Sequence, residues 1–194
     1  MDRVRDNFSG DGFPVFTIQD IKSWLIANSA AEDYAYLMLH NLESRGEIER
    51  ITKGIYTFHS DISVVGFAFR PFYYGLEYAL YVHGFSEQGS NPVVITSRKV
   101  RNGIRKFRDR NYVVHRMARE HFLGYQLVKS GNFWVPVSDP EKTLIDMIYF
   151  RHYLPESLLK TLLNAAENKK IDAYLEGYEK RFADKVRRII RKGK

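Results

Sequence analysis

At 194 residues the chain can hold one domain or two small ones, and its 44% hydrophobic content is enough for a packed core, which excludes a disordered chain. A net charge of +7 and a pI near 9.5 favour an anionic partner. The absence of cysteine excludes disulfides and thiolate metal ligands, and with no long apolar run at the start and no eighteen contiguous apolar residues, neither a signal peptide nor a membrane span is expected and the expected location is the cytoplasm.

Residues 1–13 are polar and glycine-bearing, and read either as a frayed end or as a short first helix. Thr17 and Asp20 have the spacing of a helix cap. Ile18, Ile21, Trp24 and Leu25 then form an apolar face, with Asn28 ending the helix. Ser29 and Glu32 have capping-box spacing, which predicts a second helix after a short turn. Along it Ala35, Met38, Leu39 and Leu42 recur at helical spacing, and Gly46 after Arg45 suits a left-handed stop. Two short strands, Glu47 to Arg50 and Ile55 to Phe58, would flank a turn at Thr52, Lys53 and Gly54. Helix, helix, glycine stop and basic-tipped hairpin together predict a winged helix-turn-helix over residues 1–60.

In that arrangement the helix from Ala31 to Arg45 would enter the major groove of double-stranded DNA. Opposite its Ala35/Leu39/Leu42 stripe lie Asp33, Leu37, His40 and Ser44, flanked by Tyr36 and Asn41. Asn41 has the donor and acceptor for a bidentate contact to adenine, Leu37 or Tyr36 suits a thymine methyl, and His40 suits phosphate or a base edge. Asp33 would repel phosphate unless it reads a cytosine amino group. The wing would hold phosphates through Arg50, Thr52 and Lys53. An exposed polar helix face with no ligand explains the same residues.

Residues 61–69 are apolar and read as a strand or the lead into the next unit. Phe72 to Phe85 has Leu76, Ala79, Leu80 and His83 at helical spacing with Gly84 as a stop, and His83 reads as a structural histidine. A loop over 86–92 precedes a short strand from Val93 to Ser97. Residues 98–111 are the most basic stretch, with Arg98, Lys99, Arg101, Arg105, Lys106, Arg108 and Arg110. They suit phosphate, an acidic protein surface, or the charged edge of a sheet. Tyr112 to Met117 reads as a strand and Ala118 to Phe122 as a turn. Tyr125 to Val128 and Phe133 to Val137 read as strands paired across Lys129–Asn132. Ser138-Asp139-Pro140-Glu141 is a helix start. Helices follow through Phe150, from Pro155 with Leu158, Leu159, Leu162 and Leu163, and over a last amphipathic stretch from Ile171 to Ile190. Glu176–Lys180 and Asp184–Arg188 are spaced for ion pairs on its outer face. The basic tail RRIIRKGK suits phosphate when ordered. The expected fold is α+β, with a mixed α/β domain and carboxy-terminal helices over 61–194.

Charge is unevenly distributed. Residues 1–60 hold six Lys/Arg against nine Asp/Glu, a net of −3; residues 98–121 hold nine against two, a net of +7. The DNA-reading unit is thus slightly acidic, although phosphate neutralisation supplies much of DNA affinity. Either Arg45, Arg50 and Lys53 focus a local positive field, or the later basic segments also touch DNA. No nucleophile-elbow, phosphate-loop, zincin or dinucleotide motif occurs. Asp109, Glu120, Asp139, Glu141 and Asp146 are the carboxylates a metal-dependent nuclease would draw on, but Asp139 and Glu141 are better explained by the helix start. No enzyme activity, metal or cofactor is expected.

Three stretches in order, RGEIERITKGIYTF, YYGLEYALYVHGF and VSDPEKTLIDMIYF, resemble the AbiEi-type antitoxins, regulators of type IV toxin–antitoxin systems, over roughly residues 13–165. The resemblance implies an amino-terminal winged helix that represses its own operon, a carboxy-terminal domain serving antitoxicity, and a nucleotidyltransferase-like cognate toxin. A homodimer is compatible with the sequence. The alternative is a protein-interaction module that uses the winged fold for a protein partner, consistent with the acidic first third.

Overall fold

Helix α1 (Asp2–Phe8) resolves the opening residues in favour of a helix, and its Val4 and Phe8 are buried in the core of the first sixty residues. The computed structural model describes residues 2–10, 13–87, 89–131 and 133–193. The parts of the expected opening segment that fall on Met1, Asp11 and Gly12, of the expected loops that fall on Gln88 and Asn132, and of the basic tail that falls on Lys194, lie outside the described residues.

After α1 come β1 (Phe16–Thr17), α2 (Ile18–Ala27), α3 (Tyr34–Ser44), β2 (Glu49–Thr52) and β3 (Ile55–Thr57). The strands form an antiparallel sheet in the order β1-β3-β2. This is the winged helix-turn-helix order, with β2 and β3 as the wing. The expected cap of α2 is present: the Thr17 hydroxyl accepts from the Asp20 amide, and the Asp20 carboxylate accepts from the Thr17 amide at 2.6 Å. The apolar stripes of α2 and α3 meet over Ile21, Leu25, Ala35, Met38, Leu39 and Leu42.

The start of α3 departs from expectation. Ser29 does not cap it, and the helix begins at Tyr34 with no side-chain cap. Ser29 instead ends α2: it sits in the left-handed region (φ 57°), its amide donates to Ile26 O at 3.0 Å, and the Ala30 amide reaches Leu25 O at 2.9 Å. That pair of bonds is a Schellman closure, made here on a serine where glycine is usual. The same closure on Gly46 (φ 67°) ends α3, through Gly46 N to Glu43 O and Glu47 N to Leu42 O. Glu47 is thereby used in the helix stop and Ile48 in the core, so β2 starts two residues later than expected.

Residues 61–69 are neither strand nor plain linker. They form a buried 3-10 segment, Ile62–Phe69, whose first turn is capped by the Asp61 carboxylate on the Ser63 amide at 2.9 Å. The expected helix over 72–85 divides into β4 (Phe72–Tyr74) and α4 (Leu76–Val82), with Gly84 (φ 72°) as the stop. Then come β5 (Val93–Thr96), β6 (Gly103–Phe107), β7 (Arg110–Arg116), β8 (Tyr125–Ser130) and β9 (Phe133–Ser138), with a 3-10 turn at Arg119–His121 before β8. They build a mixed six-stranded sheet, β6-β7-β5-β4-β9-β8, in which β5 runs parallel to β7 and β4 parallel to β9.

Side chains alternate across this sheet. On one face Val94, Phe107, Tyr112, Val114 and Val135 pack with the 3-10 segment and with Ile51 and Ile55 of the wing. On the other, Tyr73, Val93 and Ile95 pack under α5 (Pro140–Tyr149), α6 (Glu156–Ala165), α7 (Asn168–Leu175) and α8 (Lys180–Gly193). Helix α5 starts as read, with the Asp139 carboxylate accepting from the Lys142 amide at 2.8 Å and Pro140 in the first turn. The last amphipathic stretch is two helices rather than one. The break falls at Gly177, whose carbonyl is within 3.0 Å of His121 Nε2 and where a Cβ would stand 3.4 Å from the Glu120 carbonyl oxygen. That break separates Glu176 from Lys180, and Asp184 pairs with Arg187, not Arg188, so neither expected i,i+4 pair is among the ion pairs of the described residues.

Candidate nucleic-acid interface

Because the inner stripe of α3 is consumed by α2 and the small sheet, its opposite side is left to solvent. Tyr36 is 64% and Leu37 53% exposed, and His40, Ser44 and Arg45 are exposed as well. Asn41 is half-buried on the flank. On the wing, Arg50 and Lys53 are exposed and Thr52 is half-buried beside the Lys53-Gly54 turn. Nothing among the described residues covers this side. Two contacts temper it: Arg45 lies 3.8 Å from Glu47, and Lys22 is placed 5.4 Å from the centre of the Tyr36 ring. Arg50 and Lys53 make no ion pair among the described residues.

The basic segment is not remote from the wing. Ile51 and Ile55 of the wing and Val100 of the basic loop share one apolar cluster, the Tyr112 hydroxyl donates to Ile51 O at 3.1 Å, and Arg108 lies 4.0 Å from Glu49. The seven candidate cations nevertheless separate. Arg98 donates to Ala68 O, and Arg105 lies over the Phe69 ring and donates to Arg101 O, so both are tied to the fold. Lys106 falls on the opposite parity of β6 from Phe107, facing away from the wing side. Lys99, Arg101 and Arg110 are exposed and have no ion pair among the described residues. Arg116, outside the candidate segment 98–110, lines a groove of about 490 Å³ together with Arg101. Strand parity was the available signal, since Arg116 follows Tyr112 and Val114 on the same side of β7.

Of the five carboxylates considered for a metal, Asp109 and Glu120 are exposed on the surface, and the other three are committed elsewhere. Asp139 caps α5 and accepts from Tyr174 (2.7 Å) and Lys170 (3.0 Å); Glu141 accepts from the Glu167 amide (2.8 Å) and Lys170 (3.2 Å). Asp146 is fully buried against Lys142 and Tyr73. His83 meets Ser138 O at 2.7 Å, the structural role expected of it.

Burial works to raise the Glu141 carboxyl, but the Glu167 amide, its own amide and Lys170 outweigh burial and hold it below the ordinary value. A carboxyl lowered on folding contributes stability that is present above its unfolded pKa, about 4.3, and is lost as pH falls through the folded value. The melting-temperature gap between the wild type and Glu141→Gln is therefore expected to shrink as pH drops from neutrality through that window. A gap that stays constant in a pH series of thermal melts would contradict this account of Glu141.

An uncovered second helix beside a two-stranded wing defines the chain as a winged helix-turn-helix protein. Residues 2–59 match the family model described as transcriptional regulator, AbiEi antitoxin, which supports a regulatory antitoxin role. Among solved structures the chain resembles the RV2827C protein from Mycobacterium tuberculosis, with a TM-score of 0.67 at 15% identity over 99% of this chain and 76% of that one, a likeness of fold. No curated protein matches the chain. No helix among the described residues is long and apolar enough to cross a membrane.

Proposed function

We propose that the chain is a sequence-specific DNA-binding transcriptional regulator, an AbiEi-like antitoxin that represses its own toxin–antitoxin operon. In this reading residues 1–60 are the DNA-binding domain. Helix α3 reads the major groove through Tyr36, Leu37, His40, Asn41 and Ser44, while Arg45, Arg50, Thr52 and Lys53 hold phosphates. Residues 61–194 serve antitoxicity toward a nucleotidyltransferase-like toxin in the cytoplasm. The observation that carries the reading is the open outer side of α3 with the wing beside it.

A gel-shift series with the DNA upstream of the gene tests it. Arg50→Ala/Lys53→Ala is expected to weaken binding to every sequence and to reduce the salt slope by about 2. Asn41→Ala is expected to cost about 1–3 kcal/mol on the operator alone, relaxing specificity at one position. The stoichiometry of the shift distinguishes one copy from a homodimer. Binding unchanged in both variants would overturn the docking. A second reading, a protein-interaction module, is favoured by the exposed Tyr36 and Leu37 on an acidic unit. Co-purification with the neighbouring gene product in the absence of DNA affinity would establish it instead.

A further inference from the structure

We infer that the groove between residues 100–102 and 116–118 holds a backbone phosphate of the same DNA duplex, outside the winged unit itself. The inference rests on the DNA-binding reading above and extends its contact surface to the edge of the six-stranded sheet.

Two guanidinium-bearing side chains, Arg101 and Arg116, line this groove, and both residues are exposed. Neither makes an ion pair among the described residues. Guanidinium forks match phosphate oxygens in pairs, so two of them around one groove form a suitable cradle for a phosphodiester. The groove walls are fixed by backbone bonds that do not involve these side chains. The Arg116 amide donates to Asn102 Oδ1 at 2.7 Å, the Met117 amide donates to Thr96 O at 2.9 Å, and Arg101 O accepts from Arg105.

Its position ties the groove to the wing. Val100, in the groove wall, belongs to the apolar cluster that also contains Ile51 and Ile55 on the two wing strands. The wing and the groove wall thus pack on the same apolar cluster. Charge argues in the same direction. The winged unit has a net of −3, too few cations for a polyanion, whereas residues 98–121 carry +7.

Protection of an edge strand is the competing explanation for this charge, because β6 is the edge of its sheet. It accounts for Lys106, which lies on β6. It does not account for Arg101, which precedes the strand, or for Arg116, which ends the inner strand β7.

The test is fluorescence anisotropy of the full chain on a short duplex of the upstream DNA and on a scrambled duplex, at 50 and 200 mM salt. Each phosphate contact on B-DNA contributes about 0.9 to the salt slope. For Arg101→Ala/Arg116→Ala, affinity is expected to fall alike on both duplexes, and the loss between 50 and 200 mM to shrink by about 3.5-fold, for the one phosphate held. Arg101→Lys/Arg116→Lys is expected to keep most of the wild-type slope, and Lys106→Ala all of it. A wild-type slope in the double alanine variant, with operator affinity still lowered by Asn41→Ala, overturns the groove assignment and leaves the regulator reading standing. Loss of the slope in the lysine variant as well, with an unchanged melt, overturns the phosphate cradle. Stabilisation of the wild type by millimolar inorganic phosphate, absent in the double alanine variant while duplex slopes stay equal, assigns the groove to free phosphate instead. If the wild type binds neither duplex, the regulator reading itself fails.

Discussion

Replacing Lys142 by methionine is expected to destabilise the chain by about 3–5 kcal/mol and to lower its melting temperature by roughly 10 °C. Lys142 and Asp146 are both fully buried, one turn apart on α5. The ammonium donates to Asp146 Oδ1 and to the Tyr178 hydroxyl (2.9 Å), with Met117 Sδ at 3.4 Å; Asp146 Oδ2 accepts from the Tyr73 hydroxyl at 2.7 Å. Burial pushes the ammonium down and the carboxyl up, and the attraction between the two opposes both shifts. Methionine fills the volume but leaves the carboxylate with only Tyr73, among Leu144, Ile145 and Met147. Removing one partner of a buried pair is far costlier than removing both. Lys142→Met/Asp146→Leu should therefore recover most of the loss. In the single variant the Asp146 carboxyl is raised on folding with no cation to oppose it. Such a group favours the folded state below its unfolded pKa, about 3.9, and loses that advantage as pH rises through the folded value. The deficit should then be larger at neutral pH than near pH 4. Denaturant melts at the two pH values check both statements, and a single variant within 1 kcal/mol of wild type at neutral pH would falsify the account of the pair.

The same pair marks where sequence reasoning stops. Lys142 and Asp146 are four apart on a helix, a spacing that reads as a solvated surface pair, and only the helices laid over α5 make it internal. Local signals behaved differently. Thr17/Asp20, Gly46, Lys53-Gly54 and Asp139-Pro140 act through bonds within a few residues, and each is where the pattern put it. Ser29 had two local uses, ending α2 or opening α3, and the left-handed turn took it. Residues 62–69 are apolar on all sides, so no period distinguished a strand from the buried 3-10 segment. The break at Gly177 depends on Glu120 and His121, more than fifty residues away. For the site, the outer face of α3 was legible because helical spacing fixes opposite faces. The neighbourhood of the basic segment was not, because it depends on β2 lying against a sheet strand that pairs sixty residues later.

Gly66→Ala is expected to cost about 3 kcal/mol, at the upper end of ordinary overpacking. A methyl there would stand 2.1, 2.5 and 2.8 Å from three atoms of the Phe72 ring. The ring has little room to retreat, since it packs edge-on against Phe67 and Tyr74, each at 5.3 Å between centres. The backbone has little either. The Gly66 amide donates to the Tyr74 hydroxyl at 2.8 Å, and that hydroxyl donates to Ser63 O at 2.7 Å, so backing away breaks the clip that holds the 3-10 segment to β4. Gly10→Ala, whose methyl would meet nothing within 4 Å, is the control and should stay within about 0.5 kcal/mol. Gly66→Ala/Phe72→Leu should regain part of the loss by shrinking the obstacle. Equal thermal melts for Gly66→Ala and wild type would mean that the ring yields freely. Because Ile62, Val65 and Phe69 of this segment share a cluster with Ile51 and Ile55, the strain falls on the floor of the wing. DNA affinity of the variant should therefore decline at temperatures well below its unfolding midpoint, and a parallel anisotropy and melting series would separate that local loosening from global unfolding.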